Sequence, residues 1–268
     1  MVERLTCNQD VVGSSPAVGS LCVIIMDDMS FLVVANWKAN GNARLAESFL
    51  DVLSSQNSLS GGSTCSVVLC PPYTAMPSLR GRSCVVRLGG QDCFAGVSRG
   101  CTGEITAKML RECGCEYVIL GHSDRRTLLN ESDSLIKLKA ESAIGECLIP
   151  IICVGENREE RESGATGRVL LEQCRSCLPE EGEFFVAYEP IWAIGGSVIP
   201  DIAMIEEAFS IIKSHNPGLR IIYGGSVNES NIRSLKTGVS GIAGVLVGSA
   251  SLDADGFARM LDNVMECL

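Results

Sequence analysis

The sequence predicts one α/β domain built as a closed (β/α)8 barrel. Three observations carry this expectation. From Phe31 onward, short apolar runs alternate with amphipathic stretches, and the alternation repeats eight times. The runs are continuously apolar, as strands of a parallel sheet covered on both faces must be. The length of 268 residues, with 46% hydrophobic, fits one such barrel and its core. The alternative is an open, doubly wound sheet. That fold places a glycine fingerprint after its first strand, where this chain has Asn36-Trp37-Lys38.

In chain order, 31–35 is an unbroken apolar run and reads as a buried strand. Residues 43–53 are amphipathic and read as a helix. Apolar runs at 65–70 and 85–88 give the next two strands. The helical stretch 106–113 leads into a strand at 117–120, and 133–144 leads into one at 149–154. Helix 169–177 precedes a strand at 184–188, helix 202–213 precedes 221–223, and helix 229–235 precedes 245–247. Helix 255–264 ends the alternation.

Residues 1–28 stand apart. Gly, Ser and Pro cluster at 13–20, and the apolar run 21–26 is short and ends in two aspartates. A secretory leader needs a basic start and a longer apolar run, and a mitochondrial one needs several arginines where Arg4 stands alone. The segment is expected to be a disordered extension, or to reflect a start assigned upstream of Met29. The barrel domain is then 29–268.

The formal net charge of −10 opposes nucleic acid and anionic membranes, and no basic run reverses it. Small molecules or other proteins are the expected partners, and an anionic substrate needs a locally positive pocket. Fourteen cysteines suggest a disulfide framework, but a chain of this size stabilises itself without bridges. Cys70, Cys113, Cys147 and Cys153 fall in apolar or helical patterns, where a thiol packs as a small hydrophobe. Cys174 and Cys177 have redox spacing but lie in a helical pattern. With two histidines and no Cys/His cluster, no zinc site is expected.

Barrels of this kind work at the C-terminal ends of their strands. There the chain places Asn36 and Lys38 after strand 1, His122 after strand 4, Glu156 after strand 5 and Glu189 after strand 6. Gly224-Gly225-Ser226 follow strand 7, and Gly248-Ser249 follow strand 8. A base on a rigid strand, beside a loop running from Pro190 to Gly195-Gly196, suits proton abstraction. The glycine turns let backbone N–H groups converge on a dianion, and Lys38 supplies local positive charge. His215 lies at a helix end and is expected to face solvent, which leaves His122 as the imidazole near the rim.

Taken in order, these residues resemble the triosephosphate isomerase family over about 31–268. The carriers are Asn-Trp-Lys at 36–38, Gly-His-Ser at 121–123, Cys-Val-Gly-Glu at 153–156, Ala-Tyr-Glu-Pro-Ile-Trp-Ala-Ile-Gly at 187–195 and Tyr-Gly-Gly-Ser at 223–226. The resemblance implies a TIM barrel, no cofactor, and interconversion of dihydroxyacetone phosphate and glyceraldehyde 3-phosphate in glycolysis and gluconeogenesis. It makes Glu189 the base, His122 a neutral hydrogen-bond donor and Lys38 the stabiliser of negative charge. Asn36 positions substrate, and the N–H groups of Gly195, Ser226, Gly248 and Ser249 grip phosphate. Tyr223 and Ser226 resemble a latch for a lid over 190–199. Cys-Thr-Gly-Glu at 101–104 resembles the dimer loop, which implies a cytoplasmic homodimer contacting through Thr102.

Four departures qualify the resemblance. Asp124 stands where the family has Glu, so Lys38 is expected to be held more loosely and Asp124→Glu to raise turnover. The lid ends in Gly196-Ser197-Val198 rather than Thr-Gly-Lys. Ser249 replaces a glycine, and Cys101 replaces an aromatic. Two rival readings follow: an isomerase of a longer sugar phosphate, and a non-catalytic homologue.

Overall fold

The structure, a computed structural model, describes residues 30–56, 65–82, 85–96, 100–195 and 200–267. The expected extension at 1–28 and the lid end at 196–198 lie outside the described residues. Eight parallel strands pair in chain order and the last closes on the first. They are β1 (Phe31–Asn36), β2 (Cys65–Cys70), β3 (Val86–Gly90), β4 (Cys115–Leu120), β5 (Ile149–Val154), β6 (Phe185–Tyr188), β7 (Arg220–Tyr223) and β8 (Ile242–Val247). The expected closed barrel is therefore present, and the open sheet is excluded.

Helices α1 (Ala43–Ser54), α2 (Ala107–Glu112), α3 (Ser123–Leu129), α4 (Asp133–Gly145), α5 (Arg158–Glu162), α6 (Thr166–Cys177), α7 (Ile202–His215), α8 (Ile232–Gly238) and α9 (Ala254–Met265) lie in the connections and after β8. Most begin at a side-chain cap. Asn42 accepts from Leu45 N–H, Ser132 from Leu135 N–H and Asp201 from Met204 N–H, each satisfying a donor the helix leaves free. α9 then sets Phe257, Met260, Leu261 and Val264 on one buried face against the barrel.

The period of two along each strand divides the core. Leu32, Val34, Ile119, Ile151, Phe185, Ala187, Ile222 and Leu246 point into the barrel. Their neighbours Val33, Ala35, Leu120, Ile152, Val186, Ile221 and Val247 pack outward under the helices. The thiols of Cys70 and Cys153 sit inside the barrel, and Cys174 and Cys177 are buried on α6, where burial pushes both thiols up to about 12. Their redox spacing therefore serves packing.

The sequence missed two helices. α3 has only Ser123 buried while Leu128 and Leu129 are exposed, so it carries no apolar stripe. α5 buries nothing and stands on a capping box in which Asn157 and Glu160 satisfy each other's N–H groups. α8 starts later than 229 because Asn228 folds the chain into a turn, its Oδ1 accepting from Ser230 N–H and Oγ–H.

The barrel seam is tightest at Gly244, where an added Cβ would sit 2.1 Å from the Leu32 carbonyl oxygen. Gly100 faces open space. Gly244→Ala is expected to cost about 2 kcal/mol or more in urea unfolding, and Gly100→Ala less than about 0.5 kcal/mol. Equal losses would show that the seam is not sterically closed.

Candidate active site

The alternation that fills the barrel also fills its mouth. Asn36 continues the inward row after Val34, Glu189 after Ala187, Gly224 after Ile222 and Gly248 after Leu246. These residues line one cavity of about 410 Å³ together with Lys38, His122, Gly195, Ser226 and Ser249. Among the described residues that line it, Lys38 is the only cation.

Glu189 is 2% exposed. A carboxylate so buried must be hydrogen-bonded. Its Oε2 accepts from the backbone N–H of Ser123 at 3.0 Å, and its Oε1 lies 3.2 Å from His122 Nε2. Close backbone approach makes this placement feasible. A Cβ on Gly155 would fall 1.7 Å from the Glu189 carbonyl oxygen, so the β5 end must be glycine there. The Cys153 thiol beside it is pushed well above the usual range by burial and by the Glu189 charge.

His122 caps α3. Its Nδ1 accepts the Asp124 backbone N–H at 3.0 Å, so that nitrogen carries a lone pair. The ring is then neutral, with its proton on Nε2 facing Glu189 and the cavity. Sequence reasoning expected a neutral imidazole from resemblance, and the cap supplies a physical reason for it.

Lys38 adopts φ +53°, a left-handed conformation costly for a long side chain. Three bonds hold it there. Its N–H donates to Asn36 Oδ1 at 3.1 Å, its carbonyl accepts from Gln91 Nε2 at 2.8 Å, and its Nζ lies 2.9 Å from Asp124 Oδ2. Gln91 Nε2 also donates to the Cys70 carbonyl at 2.9 Å. The Asp124 carboxylate thus reaches Lys38 in spite of its shorter side chain. Desolvation raises the Asp124 carboxyl, but the hydrogen bond from Lys38 and the charge of its ammonium hold it below its ordinary value.

The glycine turns after β7 and β8 line the same cavity. A one-turn 3₁₀ helix, Ser249–Ser251, begins after Gly248. The Ser226 hydroxyl is committed to the Ala193 carbonyl at 2.7 Å, which leaves its N–H as its means of gripping an anion. Gly195 is exposed at the cavity rim with φ +68°. Behind Pro190, Trp192 Nε1 donates to Glu156 Oε1 at 2.9 Å and the Tyr188 hydroxyl donates to the same oxygen at 3.1 Å. Burial raises the Glu156 carboxyl, and these two bonds partly oppose the rise.

Two predicted residues stand outside the cavity. Asp124 acts on it through its carboxylate on Lys38 and its backbone N–H on His122. Tyr223 is fully buried, its hydroxyl packed against Gly225 and without a hydrogen-bond partner among the described residues. His215 is exposed, as expected. Sequence reasoning missed Gln91, Glu156's role under Trp192, and the Ser123 N–H. The position of Gln91, just past Gly89-Gly90 at the end of β3, was the available signal for it. Among the described residues, no three His, Cys, Asp or Glu side chains are grouped to hold a metal ion.

Comparison with known proteins matches residues 31–264 to the family model described as Triosephosphate isomerase. The triosephosphate isomerase of Ehrlichia chaffeensis is 46% identical over 233 residues, covering 87% of this chain and 96% of its own length. That of Wolbachia sp. subsp. Brugia malayi is 47% identical over 236 residues, covering 88% and 98%. A solved structure of the triosephosphate isomerase from Bartonella henselae superposes with a TM-score of 0.78 at 32% identity, covering 87% of this chain and 98% of that one.

The contacts around Lys38 differ in exposure, and their removal should differ in cost. Gln91→Ala strips the partner from two backbone carbonyls and is expected to lose about 1–3 kcal/mol in urea unfolding. The Lys38–Asp124 pair is one-third to one-half exposed, so Asp124→Asn is expected to lose less than about 1 kcal/mol. The opposite order would refute the assignment of Gln91 as the main support of the Lys38 backbone.

Proposed function

The chain belongs to the triosephosphate isomerase family, and on that premise we propose that its cavity interconverts dihydroxyacetone phosphate and D-glyceraldehyde 3-phosphate. One observation carries the reading: Glu189, His122 and Lys38 line one cavity together with the glycine turns after β7 and β8. Glu189 takes a proton from the carbon beside the carbonyl. The electron pair moves onto the carbonyl oxygen, where His122 Nε2–H donates a hydrogen bond to the forming enediolate. His122 Nε2 gives its proton to that oxygen and takes one from the neighbouring hydroxyl, which becomes the new carbonyl as the protonated Glu189 returns its proton to the adjacent carbon. Electrons and atoms balance within one molecule, so no redox partner takes part.

Lys38 offsets the charge of the substrate and the enediolate in a chain that is otherwise acidic. Asn36 fixes Lys38 through its Oδ1 and leaves its amide N–H groups for substrate. The backbone N–H groups of Gly195, Ser226, Gly248 and Ser249 hold the phosphate. In glycolysis and gluconeogenesis this reaction joins the two triose phosphates.

A homodimer belongs to the same proposal. Leu128 and Leu129, 74% and 59% exposed, border a second cavity of about 500 Å³ behind Lys38. A partner's loop carrying Thr102 is proposed to fill it, with Cys101 at its edge. Free thiols throughout the described chain support a reducing, cytoplasmic setting.

The purified protein is expected to turn over glyceraldehyde 3-phosphate in an NADH-coupled assay and to be inhibited by phosphoglycolate. Glu189→Gln should lower kcat by about 10²–10⁴. Equal inertness of both proteins would leave a non-catalytic homologue. Light scattering at micromolar concentration is expected to give twice the chain mass of 28.5 kDa, and a monomer would refute the paired assembly.

A further inference from the structure

Four charged side chains form a cluster behind Lys38 that the proposed reaction does not touch. Lys139, on α4, is 4% exposed and donates to both oxygens of Asp92, at 2.9 and 2.8 Å. It also donates to Glu131 Oε1. Arg125, on α3, pairs with Asp92 Oδ2 at 2.7 Å and donates from Nε to Glu131 Oε1 at 2.7 Å. Asp92 and Glu131 are 4% and 8% exposed. Two carboxylates and two cations thus neutralise one another with little help from water.

Such a cluster is a poor source of stability. Desolvation of buried ions consumes most of the attraction between them, and apolar residues of the same volume often serve as well. Burial pushes the Asp92 carboxyl up to about 6 even though Lys139 and Arg125 oppose the rise. The position of the cluster in the chain suggests another use. Asp92 directly follows Gln91, whose amide holds the Lys38 carbonyl. Arg125 directly follows Asp124, whose carboxylate holds the Lys38 ammonium. The Asp92–Arg125 pair therefore ties together two chain segments one residue behind the two grips on Lys38. The Tyr73 hydroxyl, donating to the Asp92 carbonyl at 2.6 Å, fixes the β3 side of this tie.

We propose that the Asp92–Arg125 ion pair is a brace that sets the span between the Gln91 and Asp124 grips and so holds Lys38 in its strained working position. Asp92 and Arg125 are positioning residues in this account, which rests on the role of Lys38 proposed above. Lys38 has no spare contact: with φ +53° it relaxes toward an ordinary backbone conformation once either grip moves. Its ammonium is the only cation lining the described cavity, so a small displacement is felt by any bound anion.

The test compares the wild type with Asp92→Asn, Arg125→Gln, Glu131→Gln and Lys38→Ala, measuring kcat and KM for glyceraldehyde 3-phosphate, the inhibition constant of phosphoglycolate, and Tm. Asp92→Asn and Arg125→Gln are expected to raise KM and the inhibition constant together by fivefold or more, with a smaller fall in kcat. Glu131→Gln leaves the Asp92–Arg125 pair intact and is expected to lower Tm while keeping KM within twofold. If Asp92→Asn does not fold, Arg125→Gln decides by the same criterion, because its side chain is the least buried of the four. A brace variant that loses Tm but keeps KM and inhibition within twofold overturns the proposal, as does Glu131→Gln shifting KM as much as Asp92→Asn. An active wild type with an equally active Lys38→Ala sinks the role of Lys38 itself, which is a separate failure.

Discussion

A carboxylate removed from water sets the terms for the rest of the site. Glu189 reaches the barrel mouth because β6 alternates, but it stays there charged only if hydrogen-bond donors meet it. They come from a single turn between β4 and α3, where Ser123 offers its N–H and His122 its Nε2–H. That turn is itself fixed by the cap in which His122 accepts from Asp124. The same three residues thus anchor the base, settle the tautomer of the imidazole and place the acid that meets Lys38. A change in the pitch of α3 would disturb all three together.

Strain on the other side of the cavity is handled differently. Lys38 occupies a backbone region that costs of order 1–3 kcal/mol. Its N–H, carbonyl and ammonium are each bonded, to Asn36, Gln91 and Asp124. The surrounding chain over-determines the conformation, which is how a strained residue persists in a stable fold. The cost falls within the net worth of two or three hydrogen bonds.

The strand pattern was legible because barrel strands are buried on both faces, and no polar interruption obscures runs such as Ile149–Val154. Once the strands are placed, parity alone sends Asn36 and Glu189 into the mouth. Glu189 and His122 were also legible from local context, as polar residues after apolar runs. What escaped were contacts made between distant segments. α3 has no apolar stripe to announce it, α5 rests on a capping box without burial, and Gln91 matters only because Lys38 lies 53 residues away in sequence and 2.8 Å away in space. The Lys38–Asp124 contact is of the same kind, because side-chain length predicts a contact only when the backbone positions are known, and α3 brings its first turn close enough for aspartate.

The sulfur atoms sealed inside the barrel give the molecule a further property. Cys70 and Cys153 are 0% and 1% exposed, their thiols held protonated by burial in the barrel interior, with Cys153 beside Glu189 below the cavity. An alkylating reagent meets a covered, protonated sulfur at either position, so it reacts only when the barrel interior opens, whether by parting of the strands or past Glu189 from the cavity. Modification of these two positions therefore keeps time with that opening.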